Sequence, residues 1–343
     1  MDQQSSLDAM TVLNNKIDHV FELVNALATH HIKLHEDKWI YKRHGEKHRF
    51  KKVWNDFDPH DARIYDLLHG LDSKSAETVI RVIKRLHTLI ENNFADTDLF
   101  TKKEKKQLAK LAEDIEHGVI KIKDDLYAYR HYFLPIERFE ASVFYNNHCL
   151  EHIDHLDRIK DRQIIDVGAF IGDSALVFQS LQAKNIYSFE AVSTNFDLLN
   201  KTIALNHLTN VTPVLLALGA QKEELEITLD GICSAFDHIY SKDAKKETIQ
   251  VDTLDHYVAA HNITDIALIK VDIEGHEQQF LKGAIETIKT HKPTLMISIY
   301  HTWDDFISIK PWIEALDLGY RFRIVKPIDD GIVTETLLFA EIP

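Results

Sequence analysis

The spacing of hydrophobic positions changes near the middle of the chain. From Leu7 to about Glu140, apolar residues recur at three- and four-residue steps. Leu13, Ile17, Val20, Phe21, Val24 and Leu27 form one such series, and Val79, Ile80, Ile83, Leu86 and Ile90 a second. That period predicts amphipathic helices. Ser73 or Ser75 is the expected N-cap of the second helix, and Lys102 to Ile122 is expected to form a third. Glycine is scarce and β-branched alternation is absent, so residues 1–140 are expected to be an all-α N-terminal domain acting as a substrate lid, dimer interface or docking module. The aromatic-rich segment Tyr127–Phe144 is expected to pack on the remainder of the chain and to border an acceptor pocket.

From about Arg162 the pattern becomes strand, turn, helix. Gln163–Gly168, Asn185–Glu190, Val211–Leu218, Ile266–Asp272 and Thr294–Tyr300 are short apolar runs. Helices are expected at Asp173–Leu181, from Ser193 to about Asn206, at Glu277–Thr290, and through Trp312 and Leu316. Glu226–Leu229 and Thr248–Leu254 suggest an antiparallel excursion. Tyr320–Val325 and Glu335–Ile342 suggest a hairpin closed by Asp329-Asp330-Gly331. Strands alternating with helices imply a parallel sheet covered on both faces. A closing hairpin adds an antiparallel strand, as at the end of a class I methyltransferase sheet. The expected fold class is therefore α/β, a Rossmann-like doubly wound sheet with an antiparallel last strand. It would occupy residues 141–343 behind the helical domain.

Composition narrows the possible partners. The formal net charge is -14, and the acid excess lies almost entirely after residue 150. Nucleic-acid binding needs basic surface to replace counterions, so none is expected. One basic stretch, Tyr41–Lys52, reads as a solvated face or as a contact for an anionic group. No apolar run approaches the roughly 20 residues of a membrane span, and the polar first twenty residues do not read as a signal peptide. Cys149 and Cys233 have no partner spacing for a disulfide or thiolate metal site, so a cytoplasmic location is expected. The many histidines of the first half (His30, His31, His44, His48, His60 and His69 among them) show no ligand spacing, and no residue is assigned to a metal.

The turn after the first strand of the second half carries the chemistry. Ligands of open α/β sheets bind beyond the carboxyl ends of the strands. Here Asp166-Val-Gly-Ala-Phe-Ile-Gly172 is Asp-x-Gly-x-x-x-Gly, not the glycine-first fingerprint that seats a pyrophosphate. An acidic first position suits a cofactor with a cationic amino acid moiety, and S-adenosylmethionine carries both an ammonium and a sulfonium. Glu190 ends the second strand, where a carboxylate accepts ribose hydroxyls. The cofactor-binding set read from this region is Asp166, Gly168, Ala169, Phe170, Gly172, Asp173, Ser174, Glu190, Ala191, Asn195, Ala217 and Leu218.

Several segments resemble the FkbM family of methyltransferases over most of residues 160–300. They are Ile165–Asp173, Tyr187–Ala191, Ala217–Gly219, Val251–Asp255 and, above all, Ile269-Lys-Val-Asp-Ile-Glu-Gly-His-Glu277 with Leu281-Lys-Gly-Ala284. The resemblance implies methyl transfer from S-adenosylmethionine to a hydroxyl of a sugar, glycan, related polyol or secondary metabolite. Two positions depart from the family pattern. Ala191 stands where proline is usual, and the fifth strand reads Ile297-Ser-Ile-Tyr-His301 without its usual glutamate.

Hydroxyl methylation needs an aligned acceptor and a proton acceptor. His301, matched to neutral pH, is the preferred base, with Asp272 positioning and Glu274 as a further candidate. Glu274 and Glu277 also read as complements to a helix N-terminus, and Lys270 as a partner for one of these carboxylates. Asp272 with Glu274 could alternatively hold a divalent cation. Asp-Ile-Glu-Gly here replaces the Asn/Asp-Pro-Pro-aromatic of nucleobase methyltransferases. Two other functions stay open: a nicotinamide-dependent oxidoreductase, though Tyr257 lacks the Tyr-x-x-x-Lys partner, and a non-catalytic scaffold that binds the cofactor. The expected partners are a small-molecule or glycan acceptor and, as a further option, a second copy of the chain.

Overall fold

The computed structural model describes Trp54 and residues 56–93, 98–230, 233–235, 245–329 and 331–343. The helix expected around Leu13–Leu27 and the basic stretch Tyr41–Lys52 lie outside the described residues.

The first described helices are α1 (Arg63–Leu68), α2 (Ser73–Glu91) and α3 (Lys102–Gly118). The cap of α2 is neither expected serine. Asp72 caps it, its carboxylate accepting the Ser75 N–H at 2.9 Å. Helix α3 begins with a Thr101/Glu104 capping box and ends at Gly118, short of Ile122. There the chain turns into an antiparallel meander of β1 (Val119–Lys123), β2 (Leu126–Tyr129) and β3 (Tyr132–Leu134). The expectation of an all-α first half fails at these strands. Val119-Ile-Lys-Ile-Lys123 alternates at period two, and two-residue turns with Asp125 and Arg130 at positive φ close the hairpins. A short helix α4 (Ala141–Phe144) follows.

The second half is built around strand β4 (Gln163–Val167), helix α5 (Asp173–Phe178), β5 (Asn185–Glu190), α6 (Ser193–Leu205) and β6 (Val211–Leu215). The expected third strand breaks after Leu215. Its remainder, β7 (Ala217–Leu218), pairs instead with an excursion of β8 (Glu223–Asp230), β9 (Cys233–Ala235) and β10 (Lys245–Asp252). Helix α7 (Leu254–Ala260) and strand β11 (Ile266–Val271) come next. The helix expected over Glu277–Thr290 is broken into α8 (Glu277–Lys282) and α9 (Ile285–His291), followed by β12 (Thr294–Ser298). Helix α10 (Trp303–Glu314) and the antiparallel pair β13 (Arg321–Val325) and β14 (Leu337–Glu341) complete the order.

The seven-stranded sheet runs β13-β14-β12-β11-β4-β5-β6, with β14 antiparallel to both neighbours and β12-β11-β4-β5-β6 parallel. This is the class I methyltransferase arrangement. Successive strand residues point to opposite faces, so Ile165, Ile269, Ile297 and Leu338 enter one core, and Ile164, Leu268, Met296 and Phe339 the other. The apolar stripe of α2 (Val79, Val82, Leu86) joins the first core beside Ile324 of β13, and the meander's Tyr129 and Leu134 join the second. The residues ahead of the sheet thus cover both of its faces and share its cores. No helix among the described residues is long and apolar enough to cross a membrane.

Candidate active site

Parallel strands place their carboxyl ends along one edge, and a cleft of about 210 Å³ opens there between the ends of β4, β5 and β11. Nine members of the expected cofactor set line it: Gly168, Phe170, Asp173, Ser174, Glu190 and Ala191, together with Asn195, Ala217 and Leu218. Asp166, Ala169 and Gly172 lie behind the wall.

Asp166 is fully buried, and its partner follows from strand register. Lys270 of β11 is its Cα partner across the β4–β11 pair, and Ser188 of β5 is its partner on the other side. Lys270 Nζ lies 3.3 Å from Asp166 Oδ1 and donates to the Gly168 carbonyl at 2.7 Å. Burial alone would lower the lysine pKa, but Asp166, Asp272 and Asp173 raise it, so the ammonium stays charged. The expected direct contact of Asp166 with a cationic cofactor is therefore replaced by an internal ion pair that fixes the loop. Lys270 pairs with this aspartate rather than with the carboxylates that follow it in sequence.

The acidic residue of this loop that reaches the cleft is Asp173, the first residue of α5. Its carboxylate accepts the Ser174 N–H at 2.9 Å. Burial, only partly offset by Lys270, pushes its pKa up to about 7. Glu190 accepts N–H groups from Phe170 (2.9 Å) and Val192 (2.8 Å), and burial lifts it to about 7 as well. Between the ordinary carboxylate range and neutrality, the folded chain binds protons at these sites that the unfolded chain has already released. Folding stability should therefore fall as pH rises from about 4.5 to about 7 and then level off. Thermal unfolding of the ligand-free protein across that range should show this slope, reduced in Asp173→Asn. An unchanged slope in the variant would rule Asp173 out as its source.

At the other end of the cleft, adjacent strands β11 and β12 deliver Asp272, Glu274 and His301 to one place. Asp272 and Glu274 line the cleft, whereas His301 sits behind them, only 5 % exposed. His301 Nε2 lies 3.3 Å from Asp272 Oδ1 and 3.7 Å from Glu274 Oε2, and Nδ1 lies 2.9 Å from Glu277 Oε1. Burial would lower its pKa, but Glu277, Glu274 and Asp272 push it up to about 10. Tyr300 donates toward Asp272 (3.4 Å) and Glu335 (3.4 Å).

The segment Tyr127–Phe144, expected to border the pocket, supplies part of one wall, whereas His148 and Glu335 were not foreseen. Arg138, Glu140, Ser142 and His148 come from the segment before β4, and Glu335 from the closing hairpin. Arg138 lies over the Phe170 ring at 4.9 Å, and His148 Nε2 is 3.0 Å from Ser174 Oγ. The aromatics of Tyr127–Phe144 pack in the core, Tyr129 against Phe139 and Phe144, while their polar neighbours face the cleft. The other motif segments have packing roles. Asp255 takes the N–H groups of Glu286 (3.0 Å) and Thr287 (2.7 Å) at the start of α9, and its own N–H donates to the Gly283 carbonyl (3.0 Å).

The sheet order is that of the class I methyltransferase fold. Residues 166–322 match the methyltransferase FkbM domain. Among solved structures, the chain resembles methyltransferase FkbM from Methylobacillus flagellatus KT at 20% identity and a TM-score of 0.51, covering 81% of this chain and 58% of that one. The chain therefore spans little more than half the length of that protein. Weaker likenesses include an rRNA methylase from Streptococcus thermophilus (14% identity, TM-score 0.37, 60% and 99% covered) and the tRNA m1G37 methyltransferase of M. jannaschii (14%, 0.35, 64% and 57%). No curated protein matches the chain.

Proposed function

We propose that the chain is an S-adenosylmethionine-dependent O-methyltransferase acting on a hydroxyl of a sugar, glycan or related small polyol. The observation that carries this reading is the cleft at the strand ends, with buried Glu190 at one end and the Asp272–Glu274 pair at the other. Glu190 would accept the ribose hydroxyls. Asp173 stands at the α5 N-terminus, where a dinucleotide would need its pyrophosphate, and instead suits an ammonium or sulfonium. That arrangement disfavours the nicotinamide alternative. Bound S-adenosylmethionine supplies the electrophilic methyl group.

The chain's own residues align the acceptor and receive its proton. In that transfer the cofactor's sulfur would be the leaving group, while the chain's residues hold the acceptor oxygen in line with the methyl carbon and pass the hydroxyl proton to a carboxylate. Asp272 and Glu274 face the cleft and His301 does not, so the carboxylate pair is better placed for that proton than the histidine expected from sequence. His301 then orients the pair from behind.

Calorimetry with S-adenosylmethionine and with NAD tests the reading. The expected result is binding of the former alone, weakened about ten- to hundred-fold in Glu190→Gln by loss of charged hydrogen bonds worth about 1.5–3 kcal/mol. Binding of NAD, or of neither, overturns it. Labelled-methyl uptake across sugars, nucleotide-sugars and cell extracts should then identify an acceptor. Asp272→Asn should suppress that uptake while leaving the cofactor affinity in place.

A further inference from the structure

We propose that Asp272, Glu277 and His301 form a divalent-cation site at the acceptor end of the cleft. Three separate segments converge there: the end of β11, the first residue of α8 and the residues after β12. One donor atom from each of these side chains lies within 4.8 Å of the others. Glu274 Oε2 stands 3.7 Å from His301 Nε2, at the edge of the same group.

The second observation concerns buried atoms that this arrangement does not satisfy. Glu277 is completely buried. Its Oε1 accepts the Ile273 N–H at 2.9 Å, but its Oε2 has no hydrogen-bond partner. Both His301 nitrogens approach carboxylate oxygens at ion-pair distances. A buried carboxylate oxygen without a donor is costly, and a cation satisfies it together with the imidazole. Charge points the same way. Asp272, Glu274 and Glu277 surround one imidazole, with Glu335 close to Asp272 through Tyr300. A single imidazolium leaves that group strongly negative.

Carboxylate oxygens with one imidazole nitrogen suit Mn²⁺ or another first-row divalent ion such as Fe²⁺ or Zn²⁺, rather than the all-oxygen sites of Mg²⁺. Because Asp272 also forms part of the cleft wall, a cation held there can meet an acceptor hydroxyl and make it more acidic. Glu274 is then the carboxylate left to take the proton. This use of the cation rests on the methyl-transfer reading, whereas its binding does not.

The test is titration of the full-length, chelator-treated protein with Mn²⁺, followed by the electron paramagnetic resonance signal of the free ion. About one equivalent should bind, Zn²⁺ should compete, and Asp272→Asn and Glu277→Gln should each weaken binding about ten- to hundred-fold. Glu277 is fully buried, so its variant needs a circular dichroism check. Asp272, at the cleft wall, gives a second variant less exposed to misfolding. No Mn²⁺ binding by the parent protein, or undiminished binding by folded Asp272→Asn, overturns the site. S-adenosylmethionine calorimetry on the same samples separates the two proposals, since loss of cofactor binding with Mn²⁺ binding intact would count against the methyltransferase reading alone.

Discussion

Lys270→Met should destabilise the folded chain by about 3–5 kcal/mol, the cost of leaving one charge of a buried pair without its partner. The lysine is 4 % exposed and Asp166 completely buried. The substitution keeps an unbranched side chain of similar volume and removes the ammonium. Asp166 would then face Ser188, at 3.4 Å, as its remaining polar neighbour across the sheet. The loop would suffer too, because Nζ also donates to the Gly168 carbonyl at the start of the cofactor turn. Urea unfolding at neutral pH measures the loss, and calorimetry should show weakened cofactor binding in whatever fraction stays folded. The double variant Asp166→Leu/Lys270→Met should recover much of the stability, since an apolar pair of similar volume often replaces a buried ion pair without net cost. A single variant within 1 kcal/mol of the parent (on the order of the median point-mutation effect) would mean the pair does not hold the loop.

This ion pair also shows where sequence reading stops. Asp166 was legible as an acid at a strand–turn junction, and Lys270 as a lysine inside an apolar strand. Their pairing was not, because it depends on the register of two strands about a hundred residues apart. Properties set by a residue's place along its own strand came through well. Glu190, Asp272 and His301 each end a strand or follow one, and adjacent parallel strands must bring such residues to one edge. Ala169 and Gly172 belong to the same turn but face inward, since a tight turn alternates the directions of its residues. Arg138, His148 and Glu335 reach the cleft from segments with no strand-end signature. The meander at 119–134 was hidden because Lys and Asp interrupt its short apolar alternation next to a strong helical pattern, and helix propensity gave no sign of the two-residue turns.

Gly168→Ala should be more damaging than Gly172→Ala, although both residues have positive φ, 77° and 85°. The left-handed conformation alone costs a side chain about 1–2 kcal/mol, so it cannot separate the two. Their surroundings do. A Cβ on Gly168 would lie 1.9 Å from the backbone oxygen of Asp272, whereas one on Gly172 would meet the Leu199 Cδ1 methyl at 2.7 Å. A leucine methyl can rotate away, but a carbonyl at the end of β11 moves only with its strand. Gly168→Ala must therefore push the cofactor turn and the Asp272 segment apart, in addition to the conformational strain. The expected loss is about 4 kcal/mol or more, in the range reserved for backbone strain and overpacking together, against about 1–3 kcal/mol for Gly172→Ala. Since the displaced carbonyl belongs to a residue of the proposed acceptor site, any folded Gly168→Ala protein should lose methyl transfer more than cofactor affinity. Paired urea melts and binding isotherms for the two variants check both the order and the split. Equal stabilities would mean that the turn relaxes without moving Asp272, and that its glycine answers to backbone conformation alone.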